Sequence, residues 1–127
     1  MEGDLRVNDF LSLNRRRDFK RTFDEGRSFA GRYIVVYMVG NDRNPLRIGI
    51  PVSKKMGCAV RRNRIKRLIR EAFRLSESVP SEGYDIVALP RSSMRHDVKC
   101  QAVLEDLCKL MKEANSSFSS DSSGKMS

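Results

Sequence analysis

The sequence predicts a small α+β domain. Three observations carry that expectation. Runs at 32–39, 47–53 and 84–90 are rich in β-branched and aromatic residues, as strands are. Helical apolar periodicity lies before, between and after them. The length of 127 residues suits one core and not two.

A first helix is expected from about Arg15 to Glu25, with Asn14 as N-cap and Gly26 as the stop. Phe19 and Phe23 lie four apart and share a face of it. "RYIVVYMV" (32–39) is a strand whose alternation puts Tyr33, Val35 and Tyr37 on one side and Ile34, Val36 and Met38 on the other. "GNDRNP" (40–45) reads as a turn, so "RIGIPVS" (47–53) completes a β-hairpin. In that second strand Ile48, Ile50 and Val52 face a core, and Arg47, Gly49, Pro51 and Ser53 form a face almost bare of bulk. Such a face admits close approach by another molecule, or is simply a solvated sheet edge. A second helix follows the basic loop "SKKMG", a further strand is "YDIVALP", and a last helix runs from about His96 to Ala114 on a stripe of Val98, Ala102, Val103, Leu107, Leu110 and Met111. Residues 1–114 form one domain. The Ser-rich 115–127 is expected to be a disordered tail.

The formal net charge is +9, from 25 Lys+Arg against 16 Asp+Glu. That balance points to a nucleic acid or an anionic surface as partner. No apolar run approaches the ~18 residues of a membrane span, and the acidic start "MEGDLRV" lacks a secretory layout, so a cytoplasmic protein is expected. The cysteines, Cys58, Cys100 and Cys108, are odd in number and form no CxxC pair, so buried free thiols are expected and a zinc site is not.

The charge concentrates in "CAVRRNRIKRLIREAFR" (58–74), with seven cations and one carboxylate, Glu71. At ~100° per residue, Ile65, Leu68, Ile69, Ala72 and Phe73 share one arc. Arg64, Lys66, Arg67, Arg70 and Arg74 share the opposite one, with Arg61 and Arg62 at the helix entrance beside Lys54 and Lys55. Like charges at helical spacing cost a few tenths of a kcal/mol per pair. Solvated faces normally mix signs. A phosphate backbone would neutralise this one, because guanidinium forks grip phosphate oxygens in pairs and a helix N-terminus favours anions. Asn63 could hydrogen-bond a base, a sugar or a phosphate. Phe19, Phe23, Tyr33 and Tyr37 could line a platform for unstacked bases, which favours single-stranded RNA. Ordinary core packing is the competing reading for Phe23.

These residues resemble one family. "VSKKMGCAVRRNRIKRLIREAFR" is similar to the signature of the bacterial ribonuclease P protein subunit, in which Arg-Asn-Arg (here Arg62, Asn63, Arg64) precedes Lys-Arg (Lys66, Arg67). "RRRDFKRTFDEGRSFAGRYIVVYMV" is similar to the family's first helix and strand. The resemblance implies a two-layer sandwich of a four-stranded sheet and three helices, with a left-handed βαβ crossover, like the second domain of ribosomal protein S5. It implies a ribonucleoprotein that removes the 5′ leader from precursor tRNA, in which the RNA subunit holds the catalytic centre and binds most of the Mg2+. On this resemblance Lys54, Lys55, Arg61, Arg62, Asn63, Arg64, Lys66, Arg67 and Arg70 contact the RNA subunit. Phe19, Phe23 and Tyr37 match the cleft for the single-stranded leader, with Gly49 and Pro51 as its floor. Neither a catalytic residue nor a metal ligand is expected on the protein, and no protein or membrane partner is needed.

Three rival readings remain. A generic RNA-binding or ribosomal protein shares the basic helix but needs no leader cleft. A protein-only nuclease needs clustered carboxylates or histidines, whereas the acids (Asp9, Asp18, Asp24, Glu25, Asp42, Asp85) are scattered and His96 is the single histidine. A DNA-binding module would show a helix-turn-helix or dimerisation heptads.

Overall fold

Alternation along residues 34–38 gives the sheet two different faces, and each attracts its own helices. The computed structural model describes residues 10–126 apart from 77, 78, 81 and 96. In chain order it contains β1 (Leu11–Ser12), α1 (Arg16–Glu25), β2 (Arg27–Ala30), β3 (Ile34–Pro45), β4 (Arg47–Gly49), α2 (Ala59–Leu75), β5 (Glu82–Pro90) and α3 (Cys100–Met126). The strands form one sheet in the order β1-β4-β5-β3-β2.

Ile34, Val36, Met38, Ile48, Ile86 and Ala88 form the core face of the sheet. Ile65, Ile69, Ala72 and Phe73 of α2 pack there with Val103, Leu107, Leu110 and Met111 of α3. This is the apolar arc expected of the arginine helix, except that Leu68 is only half-buried. α1 lies against β3 and β5, on the side to which Tyr37 points. α3 is pinned by Asp106, whose carboxylate accepts the backbone N–H groups of Arg32 and Tyr33 at 2.9 Å each.

The structure departs from the sequence-based expectation in four places. First, β3 and β4 are not a hairpin. β5 lies between them, antiparallel to β3 and parallel to β4, so β4, α2 and β5 make the βαβ unit. The segment from Gly40 to Pro45 is a register shift within β3, with Asp42 at φ 59, and Pro45 still pairs with Glu82. β5 carries buried Ile86 and Ala88 on one face and buried Val87 on the other, so flanking strands on both sides suit it. Second, the sheet has five strands rather than four if the two-residue β1 is counted. Third, α1 is capped at Arg15 rather than Asn14, without a side-chain cap bond. Fourth, α3 begins at Cys100 rather than near His96, and it extends to Met126. Propagating an existing helix is far easier than nucleating one, and Ser117 accepts a hydrogen bond from Arg27 Nη1 at 2.5 Å. His96 and Asp9 lie outside the described residues.

Candidate nucleic-acid interface

The sequence of α2 puts its apolar residues into the core and so turns its cations outward. Arg61, Asn63, Arg64, Arg67 and Arg70 are exposed, and Arg62 and Lys66 are half-exposed. Lys54 and Lys55 are exposed in a 3-10 turn (Lys54–Met56) just before the helix. Arg62 Nε donates to the Gly57 carbonyl at 3.2 Å, which holds that side chain over the helix entrance. Arg64 meets Asp97 at 3.3 Å, in an ion pair exposed on both sides. The nine residues expected to contact RNA thus lie on α2 and the turn just before it, and none of them is buried.

Cys58 is the N-cap of α2 and is exposed, not buried as its residue type suggests. Cys100 and Cys108 are half-buried. The Arg61 backbone N–H, helped by that of Val60, holds the Cys58 thiol below its ordinary range, while burial pushes Cys100 up. The Cys58 shift is a local sign that the entrance of α2 favours negative charge.

On the other side of the sheet, α1 carries Phe19 and Phe23. Phe23 meets Tyr37 edge to face, with ring centroids 4.9 Å apart at 85°. Phe23 stays 37% exposed, so it is not a core residue. Phe19 is one helical turn earlier and borders a cleft of about 320 Å³ with Leu13, Gly49, Pro51, Lys66 and Arg70. Lys66 and Arg70, grouped from sequence with the RNA-subunit contacts, therefore also line the cleft beside Phe19, whereas Phe23 and Tyr37 meet each other outside its lining. This wall joins the two surfaces at the β1–β4 edge of the sheet.

Gly49 is not an open floor. It is buried, and a Cβ there would lie 2.5 Å from Phe19 Cε1 and 2.7 Å from the Leu13 carbonyl oxygen. The close approach that its missing side chain permits is made by the chain's own Phe19 ring. Glycine at this position sets where that ring stands in the cleft.

Sequence reasoning missed the group that fixes α1 in place. Asp85 is fully buried. Arg47 grips it in fork geometry, Nε to Oδ1 at 2.9 Å and Nη2 to Oδ2 at 2.6 Å. Asn41 Nδ2 donates at 2.9 Å, and Arg21 Nη1 of α1 at 3.3 Å. Arg21 also donates to the Gly40 carbonyl at 2.6 Å, and Arg47 reaches Asp18 of α1 at 3.5 Å. The Asp85 hydrogen bonds hold Arg47 above the ordinary guanidinium range. The sequence signal was an aspartate inside the apolar run "YDIVAL", opposite a helix rich in arginine. Among the described residues no three His, Cys, Asp or Glu side chains stand together as a metal site. No described helix is long and apolar enough to cross a membrane.

The family model described as "Ribonuclease P" matches residues 8–115. The ribonuclease P protein component of Pelotomaculum thermopropionicum is 45% identical over 110 residues, spanning 87% of this chain and 96% of the relative. That of Clostridioides difficile is 41% identical over 101 residues, 79% of this chain and 84% of the relative. Among solved structures, the RNase P protein from Thermotoga maritima superposes with a TM-score of 0.72 at 40% identity, covering 80% of this chain and 96% of that one. The Staphylococcus aureus RNase P protein gives 0.71 at 34% identity, covering 84% and 96%.

Proposed function

Because this chain belongs to the bacterial ribonuclease P protein family, whose role is in tRNA processing, we propose that it is the accessory subunit of an RNA-catalysed endoribonuclease that removes the 5′ leader of precursor tRNA in the cytoplasm. The observation that carries the reading is the single wall of Lys66 and Arg70, shared by the basic face of α2 and the cleft beside Phe19. One RNA on the α2 face and a second, single strand in the cleft would then lie side by side. The α2 cations, with Lys54 and Lys55, neutralise backbone phosphates of the catalytic RNA. Phe19, Phe23 and Tyr37 stack unpaired leader bases. Asp85, the buried carboxylate beside the cleft helix, is taken up by guanidinium groups. On this reading the Mg2+ of the reaction is bound mainly by the RNA subunit, as the family resemblance implies.

Precursor-tRNA cleavage at low magnesium tests this, using the protein alone, a bacterial ribonuclease P RNA alone, and the two mixed. Cleavage at the mature 5′ end by the mixture only is expected. Cleavage by RNA-free protein would move the active site onto the chain. A mixture no better than the RNA alone would leave a generic RNA-binding protein.

Tyr37, paired edge to face with Phe23, has its own test. Tyr37→Ala should weaken the holoenzyme's binding of precursor tRNA by about 5- to 100-fold, the range of base–aromatic stacking. Binding of mature tRNA, which lacks the leader, should not change. Equal losses on both substrates would remove Tyr37 from leader contact.

A further inference from the structure

α2 has a third side, where the edge of the core meets the cationic face. Val60, in its first turn, is 79% exposed. A single exposed valine means little, but this one borders a slot of about 190 Å³ whose apolar walls include Leu68, Met94 and Val98. Arg61, Arg64 and Asp97, all exposed, also line it. The slot continues along Leu68 and Val98 into a shallower hollow of about 370 Å³ edged by Lys99 and Cys100. Greasy walls beside mainly cationic side chains are an unusual pairing, since a solvated arginine face gains nothing from a hollow beside it.

We propose that this slot receives one unstacked nucleotide of the same RNA that α2 binds. The inference rests on the function proposed above and deepens it. A nucleobase has two apolar faces and a polar edge, and aliphatic walls on one side with charged groups at the mouth fit that shape. Asp97 can accept N–H groups of the base edge, as carboxylates accept from exocyclic amines. Arg61 and Arg64 stand where the attached phosphates would lie. The Arg64–Asp97 ion pair, at 3.3 Å with side chains 62% and 83% exposed, is worth little in water and opens at small cost. An acidic peptide with apolar anchors is the competing occupant. Arg61 and Arg64 belong both to the slot and to the nine basic-surface residues, which favours the RNA.

The test binds full-length wild type, Val60→Ala and Val60→Ile to a bacterial ribonuclease P RNA. Base edges are probed with single-strand-specific reagents and the backbone with hydroxyl radicals. Wild type should protect one or two unpaired bases. Val60→Ala should expose them again and lower affinity by about 4- to 15-fold, the value of burying one or both of the methyl groups removed, with an unchanged salt slope. Val60→Ile should keep the protections. Alanine in an exposed first turn does not weaken the helix, so misfolding does not confuse the result. A full backbone footprint with no base protection, or protections identical in Val60→Ala and wild type, overturns the slot and leaves the subunit reading standing. A wild type that leaves no footprint overturns both.

Discussion

Asp85→Ala should cost the fold about 3 kcal/mol, the lower end of what removing one partner of a buried ion pair costs. The lower end is right because Arg47 and Arg21 are 30% and 36% exposed and can recover some hydration once the carboxylate is gone. Asn41 cannot, since it is buried and its amide would lose the Oδ1 acceptor it holds at 2.9 Å. Domains are typically stable by only ~5–15 kcal/mol, so the loss is a large fraction of the total. Urea unfolding followed by circular dichroism measures it. A change below about 1 kcal/mol would mean the cluster is solvated in solution and does not anchor α1. A second variant separates charge from packing. Replacing Asp85 with Leu and Arg47 with Met together should cost less than Asp85→Ala, because the closest-paired guanidinium goes with its carboxylate and only the longer contacts of Arg21 to Asp85 and of Asp18 to Arg47 are lost. Loss of the anchor should also loosen Phe19 and Phe23, which α1 carries, so precursor-tRNA binding should fall in step.

The sequence disclosed α2 almost completely, because amphipathic periodicity is a local signal. Ile65, Ile69, Ala72 and Phe73 are buried, and the cations between them face outward. α3 was legible for the same reason over Val103 to Met111. Strand pairing was not. The turn-forming "GNDRNP" favours a hairpin, but β5 inserts between the two strands, and pairing partners forty residues away leave no mark in a local pattern. The one hint was "IVAL", apolar on successive residues, which marks a strand covered on both faces. The candidate site divides in the same way. Residue types pointed to the side chains suited to RNA, whereas the placement of Lys66 and Arg70 on the cleft wall, and of Phe19 over Gly49, depends on how α1 and α2 meet the sheet edge. Cys58 misled because free cysteines are usually buried, while an N-cap must stand at the helix entrance.

Replacing Arg64 and Arg67 together with Ala should flatten the salt dependence of RNA-subunit binding. Each phosphate contact adds about 0.7–0.9 to the slope of log K against log salt, so losing two should reduce it by about 1.4–1.8. The effect on affinity is then largest at low salt and shrinks as salt rises, because fewer counterions are released on binding. Both residues lie on the exposed side of α2, away from Ile65 and Ile69, so the fold should be unaffected. Removing Arg64 also frees Asp97, whose charge would then stand unpaired beside the RNA and could deepen the affinity loss without altering the count of phosphates. Asp97→Asn alone separates the two effects: it should leave the slope unchanged and raise affinity slightly, since one repulsive charge is gone while the amide oxygen still accepts from a base edge. Filter-binding titrations from about 50 to 200 mM salt, over which six to ten phosphate contacts change affinity by about 10³–10⁵, have ample range to resolve a difference of this size. A double variant with the wild-type slope would take Arg64 and Arg67 out of the interface, and the RNA would then have to lie on the remaining cations, Lys54, Lys55, Arg61, Arg62, Lys66 and Arg70. A wild type whose affinity barely depends on salt would be a deeper failure, because nothing would then offset the self-repulsion of this helix.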